Sequence, residues 1–122
     1  MKKTNEEYSI LYDFYGQLLS NRQREVFELY YEDNLSLSEI GANLGVSRQA
    51  VHIAVNKAGE ELAVYEEKLG LIAKHKAYEK AASEIDAKID AVIKDQSHTI
   101  YADPETIKAL KRVKKLVKGF DI

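Results

Sequence analysis

The chain has 122 residues, 18 basic and 20 acidic side chains, a net charge of −2 and no cysteine. That length holds one domain, or one compact domain with an extension, and buries roughly two-thirds of the unfolded chain's surface without a staple. The lack of cysteine removes disulfides and thiolate metal sites, no apolar run approaches the ~20 residues of a membrane span, and no apolar stretch follows Lys2 and Lys3 as in a signal peptide, so a cytoplasmic protein is expected.

One proline, six glycines and many Ala, Leu, Glu and Lys point to an all-α protein. Residues 1–6 read as a loose end. A first helix is predicted over 8–19, with Ile10, Leu11, Phe14, Tyr15 and Leu18 on its apolar side. Ser20 is placed to cap the next helix, with Gln23 as its capping-box partner. That helix runs over 21–32 and is expected to bury Val26, Phe27, Leu29 and Tyr30. Asp33-Asn34 is turn chemistry.

Residues 36–57 then carry the constraints of a DNA-reading helix-turn-helix. Ser36 caps a short helix and Glu39, three residues on, completes a capping box. Leu37, Ile40 and Leu44 follow at helical spacing, Gly41 is small where two helices cross, and Gly45 stops the helix with a left-handed backbone. Val46 is expected to plug the corner. Ser47 caps a second helix whose buried side is expected to be Ala50, Val51, Ala54 and Ala58. Gly59 alone does not stop it, so one helix is predicted over Arg48–Leu69, about 33 Å long. Two capped helices about a short turn can place the second in a major groove.

Gly70 marks a bend. Beyond it Leu71, Tyr78, Ile85 and Val92 recur every seven residues, with His75, Ala82 and Ile89 between them. This heptad pattern supports two alternatives, a helix folded back on the motif's core or a homodimer seam. Residues 96–102 connect to a last helix. Asp103 is its cap, Pro104 its first-turn proline and Glu105 its dipole-matched carboxylate; it runs to Val117 with Ile107, Leu110, Val113, Leu116 and Val117 apolar.

If the second helix of the motif lies in a major groove, Ser47, Arg48, Gln49, His52 and Asn56 meet base edges, with Ile53 alongside. Arginine pairs with guanine, glutamine or asparagine with adenine, and isoleucine touches a thymine methyl. Lys57, Arg22 and Arg24 are expected to hold phosphates, and Ser36 and Ser47 to present helix N-terminal amides to them. The alternative is a helix-turn-helix kept only as a packing unit. Charge weighs on the DNA side, because residues 1–70 hold 7 basic and 12 acidic side chains, and residues 71–122 hold 11 and 8. Four cations near the groove predict a salt slope of about −4 per protomer and about −7 for a symmetric dimer.

Lys108, Lys111, Lys115 and Lys118, with Arg112 and Lys114 nearby, form a basic stripe that follows either a phosphate backbone, RNA included, or water. The eight tyrosines are expected at core edges with their hydroxyls in water. His52, His75 and His98 are scattered, no Gly-rich phosphate loop is present, and Glu60-Glu61 and Glu66-Glu67 read as solvated faces. No catalytic residue, cofactor or metal is therefore expected.

Phe14-Tyr15, Leu29-Tyr30-Tyr31, the run Leu35-Ser36-Leu37-Ser38-Glu39-Ile40 and the run Gly45-Val46-Ser47-Arg48-Gln49-Ala50-Val51 occur together in one order. Through them residues 8–72 closely resemble the small bacterial YlxM family, also called UPF0122 or p13-like. The motif is also similar to the fourth region of primary sigma factors, which reads promoter DNA. The expected architecture is an all-α, sigma region-4-like helix-turn-helix bundle over 1–70 with a helical C-terminal extension over 71–122, and the resemblance carries nothing over to the part beyond residue 72. It places Ser47, Arg48, Gln49 and His52 where promoter-reading side chains sit, although Ala54, Ala58 and Gly59 leave the second helix less basic than such readers. Genes of that family tend to lie beside those of the signal recognition particle. The partners it implies are duplex DNA, or that particle's RNA or protein.

Overall fold

The computed structural model describes residues 3–97 and 103–119, and among them six α-helices and no strand: α1 (Asn5–Tyr15), α2 (Asn21–Phe27), α3 (Leu37–Leu44), α4 (Arg48–Leu69), α5 (Leu71–Ser97) and α6 (Pro104–Lys118). Five residues of the linker between α5 and α6, with His98 among them, lie outside the described residues.

Local chemistry sets most of the boundaries. Ser20, Ser36 and Ser47 each accept a backbone N–H three residues on, and Gln23 and Glu39 return the bond to the cap's own N–H. Gly45 and Gly70 end α3 and α4 at φ +69 and +62, where a Cβ would be strained. Asp103 caps α6 with Pro104 in its first turn.

The first helix departs from expectation. It starts at Asn5, because Thr4 and Glu7 form a capping box, and residues 4–6 are not loose. It also ends early: Gly16–Leu18 tighten into a 3₁₀ turn. That turn swings Leu19 inward, so Leu19 is buried while Leu18 is 55% exposed and Ile10 lies outside. The helix over 21–32 is not regular either. Glu28–Glu32 form a π-helical turn, closed by the Asp33 N–H on the Glu28 carbonyl at 3.0 Å, and Asn34 leaves it at φ +56. The extra residue in the turn carries Tyr31 round to Phe27 and Tyr8, with ring centroids 4.5 and 5.1 Å apart.

The chain divides into two compact units, Met1–Ile72 and Ala73–Ile122. In the first, α4 is the central element and packs against α1, α2 and α3. One cluster joins Leu11, Tyr15, Leu19 and Phe27 to Ala58 and Leu62; the other joins Val26 and Ile40 to Val51 and Val55. The buried side of α4 is thus Val51, Val55, Ala58, Gly59 and Leu62, the i, i+4, i+7, i+8, i+11 positions of one face. Ala50 is exposed and Ala54 only half-buried, which corrects the expected stripe by about one residue. Val46 is 40% exposed and does not plug the corner; its carbonyl instead lies over Gly41, where a Cβ would meet it at 2.7 Å. The small residue at position 41 accommodates the turn's backbone.

The tyrosines do more than edge the core. Tyr15 is 1% exposed; its hydroxyl donates to Glu66 Oε1 at 2.5 Å and accepts the Leu71 N–H at 3.0 Å. The same Glu66 oxygen accepts the Ile72 N–H at 2.9 Å. Glu66 therefore serves the amides that open α5, where a carboxylate suits the helix dipole, and is not the solvated side chain expected.

The second unit pairs α5 with α6. The Tyr78 hydroxyl donates to the Val117 carbonyl at 3.0 Å, and Lys114 pairs with Asp90 and, at 3.6 Å, with Asp86. Among its described residues only Ile89 is a buried hydrophobic. The inner line of α5 runs through His75, Tyr78, Ala82 and Ile89, whereas Leu71, Ile85 and Val92 stay 40%, 41% and 45% exposed.

Candidate nucleic-acid interface

The start of α4 is presented to solvent. Ser47, Arg48, Gln49, His52, Ile53, Asn56 and Lys57 are all exposed. At roughly 100° per residue, Arg48, His52, Asn56 and Gln49 fall within about a 100° arc, with Ile53 about 40° and Lys57 about 80° beyond Gln49. Val51, Val55 and Ala58 anchor the opposite side in the core, so the arc is held rigidly outward.

Three details refine the expected contacts. Asn56 Nδ2 lies 3.1 Å from His52 Nε2, one turn back, so this pair restrains two neighbouring side chains against each other. Ser47 Oγ accepts the Ala50 N–H at 3.0 Å; its hydroxyl is engaged as a cap, and no acidic side chain occupies the first turn of α4. Ser36 differs. Its own N–H donates to Glu39 Oε1 at 3.2 Å, and its Oγ accepts the Glu39 N–H at 3.1 Å. The Glu39 carboxylate occupies the start of α3, where a phosphate was expected, and repels one.

Arg22 and Arg24 part company. Residues two apart on a helix do not face the same way. Arg22 is exposed and lines a shallow groove of about 200 Å³ with Val26, Val46, Ala50, Val51 and Ala54, which sets its cation beside the first turns of α4. Arg24 is half-buried on the side of α1, near the Tyr12 hydroxyl, which donates to Glu28. Arg24 thus lies outside the groove that Arg22 lines beside α4.

Charge along the motif shows a signal that whole-half counting hides. From Ile40 to Gly59 no acidic residue occurs, while Arg48 and Lys57 lie within that span. The acidic excess of the first 70 residues therefore lies elsewhere in sequence, and Glu60 and Glu61 mark where the neutral-to-basic surface of α4 ends. Among the described residues no group of three or more His, Cys, Asp or Glu is placed to hold a metal ion, and no helix is long and apolar enough to cross a membrane.

A family model described as "Putative helix-turn-helix protein, YlxM / p13 like" matches residues 1–101. The chain belongs to the UPF0122 family. The UPF0122 protein of Thermoanaerobacter sp. (strain X514) is 35% identical over 114 residues, 93% of each chain. That of Caldanaerobacter subterraneus subsp. tengcongensis is 49% identical over 77 residues, 63% of this chain and 66% of the relative. That of Listeria welshimeri is 41% identical over 88 residues, 72% of this chain and 79% of the relative. The UPF0122 match runs beyond the 8–72 segment on which the resemblance rested, through α5, and stops before α6.

Proposed function

We propose that this UPF0122 protein is a DNA-binding regulator that reads duplex DNA with the first three turns of α4. The observation that carries the reading is the surface from residue 40 to 59: free of acidic side chains, held outward by a buried opposite face, and displaying Arg48, Gln49, His52 and Asn56. Arg48 has the geometry class for guanine, and Gln49 and Asn56 for adenine. Lys57, Arg22 and the capped start of α4 at Ser47 supply the phosphate contacts. With Arg24 turned away, three cations remain per protomer, so the salt slope is about −3, shallower than the −4 counted from sequence.

The test is selection of bound duplexes from a random pool, then fluorescence anisotropy on the recovered sequence. Affinity falls about 40-fold for each protomer engaged between about 50 and 200 mM salt. Arg48→Ala weakens the selected site by about 1–3 kcal/mol and relaxes its preference at one position, with an unchanged melting temperature. Recovery of no preferred sequence, or full affinity in Arg48→Ala, rejects groove reading.

One observation favours a second reading. On α6, Lys108, Lys111, Arg112, Lys115 and Lys118 are all exposed while Lys114 is tied to Asp90. Under this reading the protein is an accessory of the signal recognition particle, with the lysine row on the phosphate backbone of its RNA. Charge reversal at Lys111 and Lys115 then abolishes RNA binding and leaves duplex binding intact, and Arg48→Ala does the opposite.

A further inference from the structure

The α5–α6 pair has too little core to stand alone. Its only buried hydrophobic among the described residues is Ile89, while Ile85, Val92, Val113 and Leu116 are 41%, 45%, 42% and 50% exposed. Helices gain most of their stability from burying an apolar face, and a two-helix unit of this size cannot do so by itself. An apolar side of this kind is stabilised when a partner covers it.

We propose that the occupant is a second copy of this chain, docked antiparallel along α5 with the two-fold axis at Ile85. The row Tyr78, Ile85, Val92 is evenly spaced by seven residues, so an antiparallel copy brings Ile85 onto Ile85 and Tyr78 onto Val92 at both ends. Tyr78 is half-buried by its bond to α6, and its ring edge completes the row. Charge selects the same register. Lys74, Glu84, Lys88 and Asp95 are exposed; at helical spacing Glu84, Lys88 and Asp95 share the flank of this row away from Asp86 and Asp90, the residues that meet Lys114, and Lys74 lies in line with Val92. Antiparallel pairing about residue 85 sets Lys88 of one copy against Glu84 of the other and Lys74 against Asp95, each pair occurring twice. In a parallel two-fold pairing this flank falls on opposite sides of the two copies, and these pairs do not form. The α6 helices are excluded as the mutual contact: α6 carries six Lys and Arg against Asp103 and Glu105, and two copies repel.

The proposal is independent of the nucleic-acid reading, and its test uses the full chain without nucleic acid. Sedimentation and light scattering at about 100 µM, high enough to populate a micromolar dimer, are expected to give twice the 13.9 kDa monomer mass. Ile85→Asp is expected to sediment at 13.9 kDa with its helical circular dichroism retained in the first unit. Should Ile85→Asp not fold, the charge variants decide: Lys88→Glu and Glu84→Lys each raise the dimer dissociation constant about tenfold, since two opposite pairs become two like pairs, and the double variant restores it. A monomeric parent overturns the proposal and leaves the face to another protein. A dimer untouched by Ile85→Asp, or a double charge variant as weak as the singles, overturns it equally.

Discussion

Single residues show how a side chain's role depends on what folds against it. Tyr12, Tyr15 and Tyr31 all have their phenol pKa raised above the ordinary value of 10.0, in each case first by burial, and Tyr31 to about 12. Carboxylates reinforce the effect at two of them, Glu28 at Tyr12 and Glu66 at Tyr15, and the neighbouring phenols Tyr8 and Tyr30 reinforce it at Tyr31. The protonated phenol is the form that the fold holds, whereas the unfolded chain releases these protons near pH 10. Stability is therefore intact below pH 10 and falls as the pH climbs towards 12. Urea midpoints measured from pH 8 to the alkaline limit, beside a 295 nm titration of the phenols, are expected to stay flat and then drop as the late tyrosines ionise. A midpoint unchanged while those phenols titrate contradicts the buried placement. Composition put the tyrosines at core edges and helical spacing put Tyr15 on the apolar side of the first helix, but nothing local in the sequence records that Glu66 and the Leu71 amide converge on the Tyr15 hydroxyl.

At the scale of elements, capping separates stability from recognition. Ser36 and Glu39 satisfy each other across the first turn of α3, so this serine is a structural cap. Ser36→Ala is expected to cost about 1 kcal/mol of stability, read from urea unfolding, with the anisotropy isotherm on duplex DNA unchanged below the melting range. A loss of DNA affinity in the folded variant returns Ser36 to the interface. The same scale shows what spacing could and could not supply. The bounds of α3 and α4 were legible because caps and left-handed glycines act within a few residues. The 3₁₀ ending of α1 and the π turn after α2 were not, since each exists to bring Leu19 or Tyr31 onto partners distant in sequence. The one-residue shift of the buried stripe on α4, from Ala50 and Ala54 to Val55 and Leu62, has the same origin: α1, α2 and α3 together fix its azimuth. Of the expected phosphate contacts, Arg22 and Lys57 stand beside the exposed arc, and Arg24 does not.

Across the whole molecule, ten of the eleven buried hydrophobic side chains among the described residues lie in Met1–Ile72, in clusters that join α1, α2 and α3 to α4. A fragment of residues 1–72 is therefore expected to fold, with a cooperative thermal transition, and to keep the exposed face of α4. Residues 73–122 alone are expected to give weak helical signal that strengthens with concentration as copies associate. A non-cooperative melt of the first fragment, watched by circular dichroism, contradicts a self-sufficient helix-turn-helix unit.

The order of helices, their caps, the turn at Gly45 and the residue types on the start of α4 follow from the sequence alone, because each rests on hydrogen bonds and steric limits that span a few residues. Which faces are covered was decided only by the tertiary structure. The direction of Arg24, the burial of Tyr15 over Glu66, and the open row through Ile85 all depend on where distant helices come to rest, and that is settled by packing summed over the whole core.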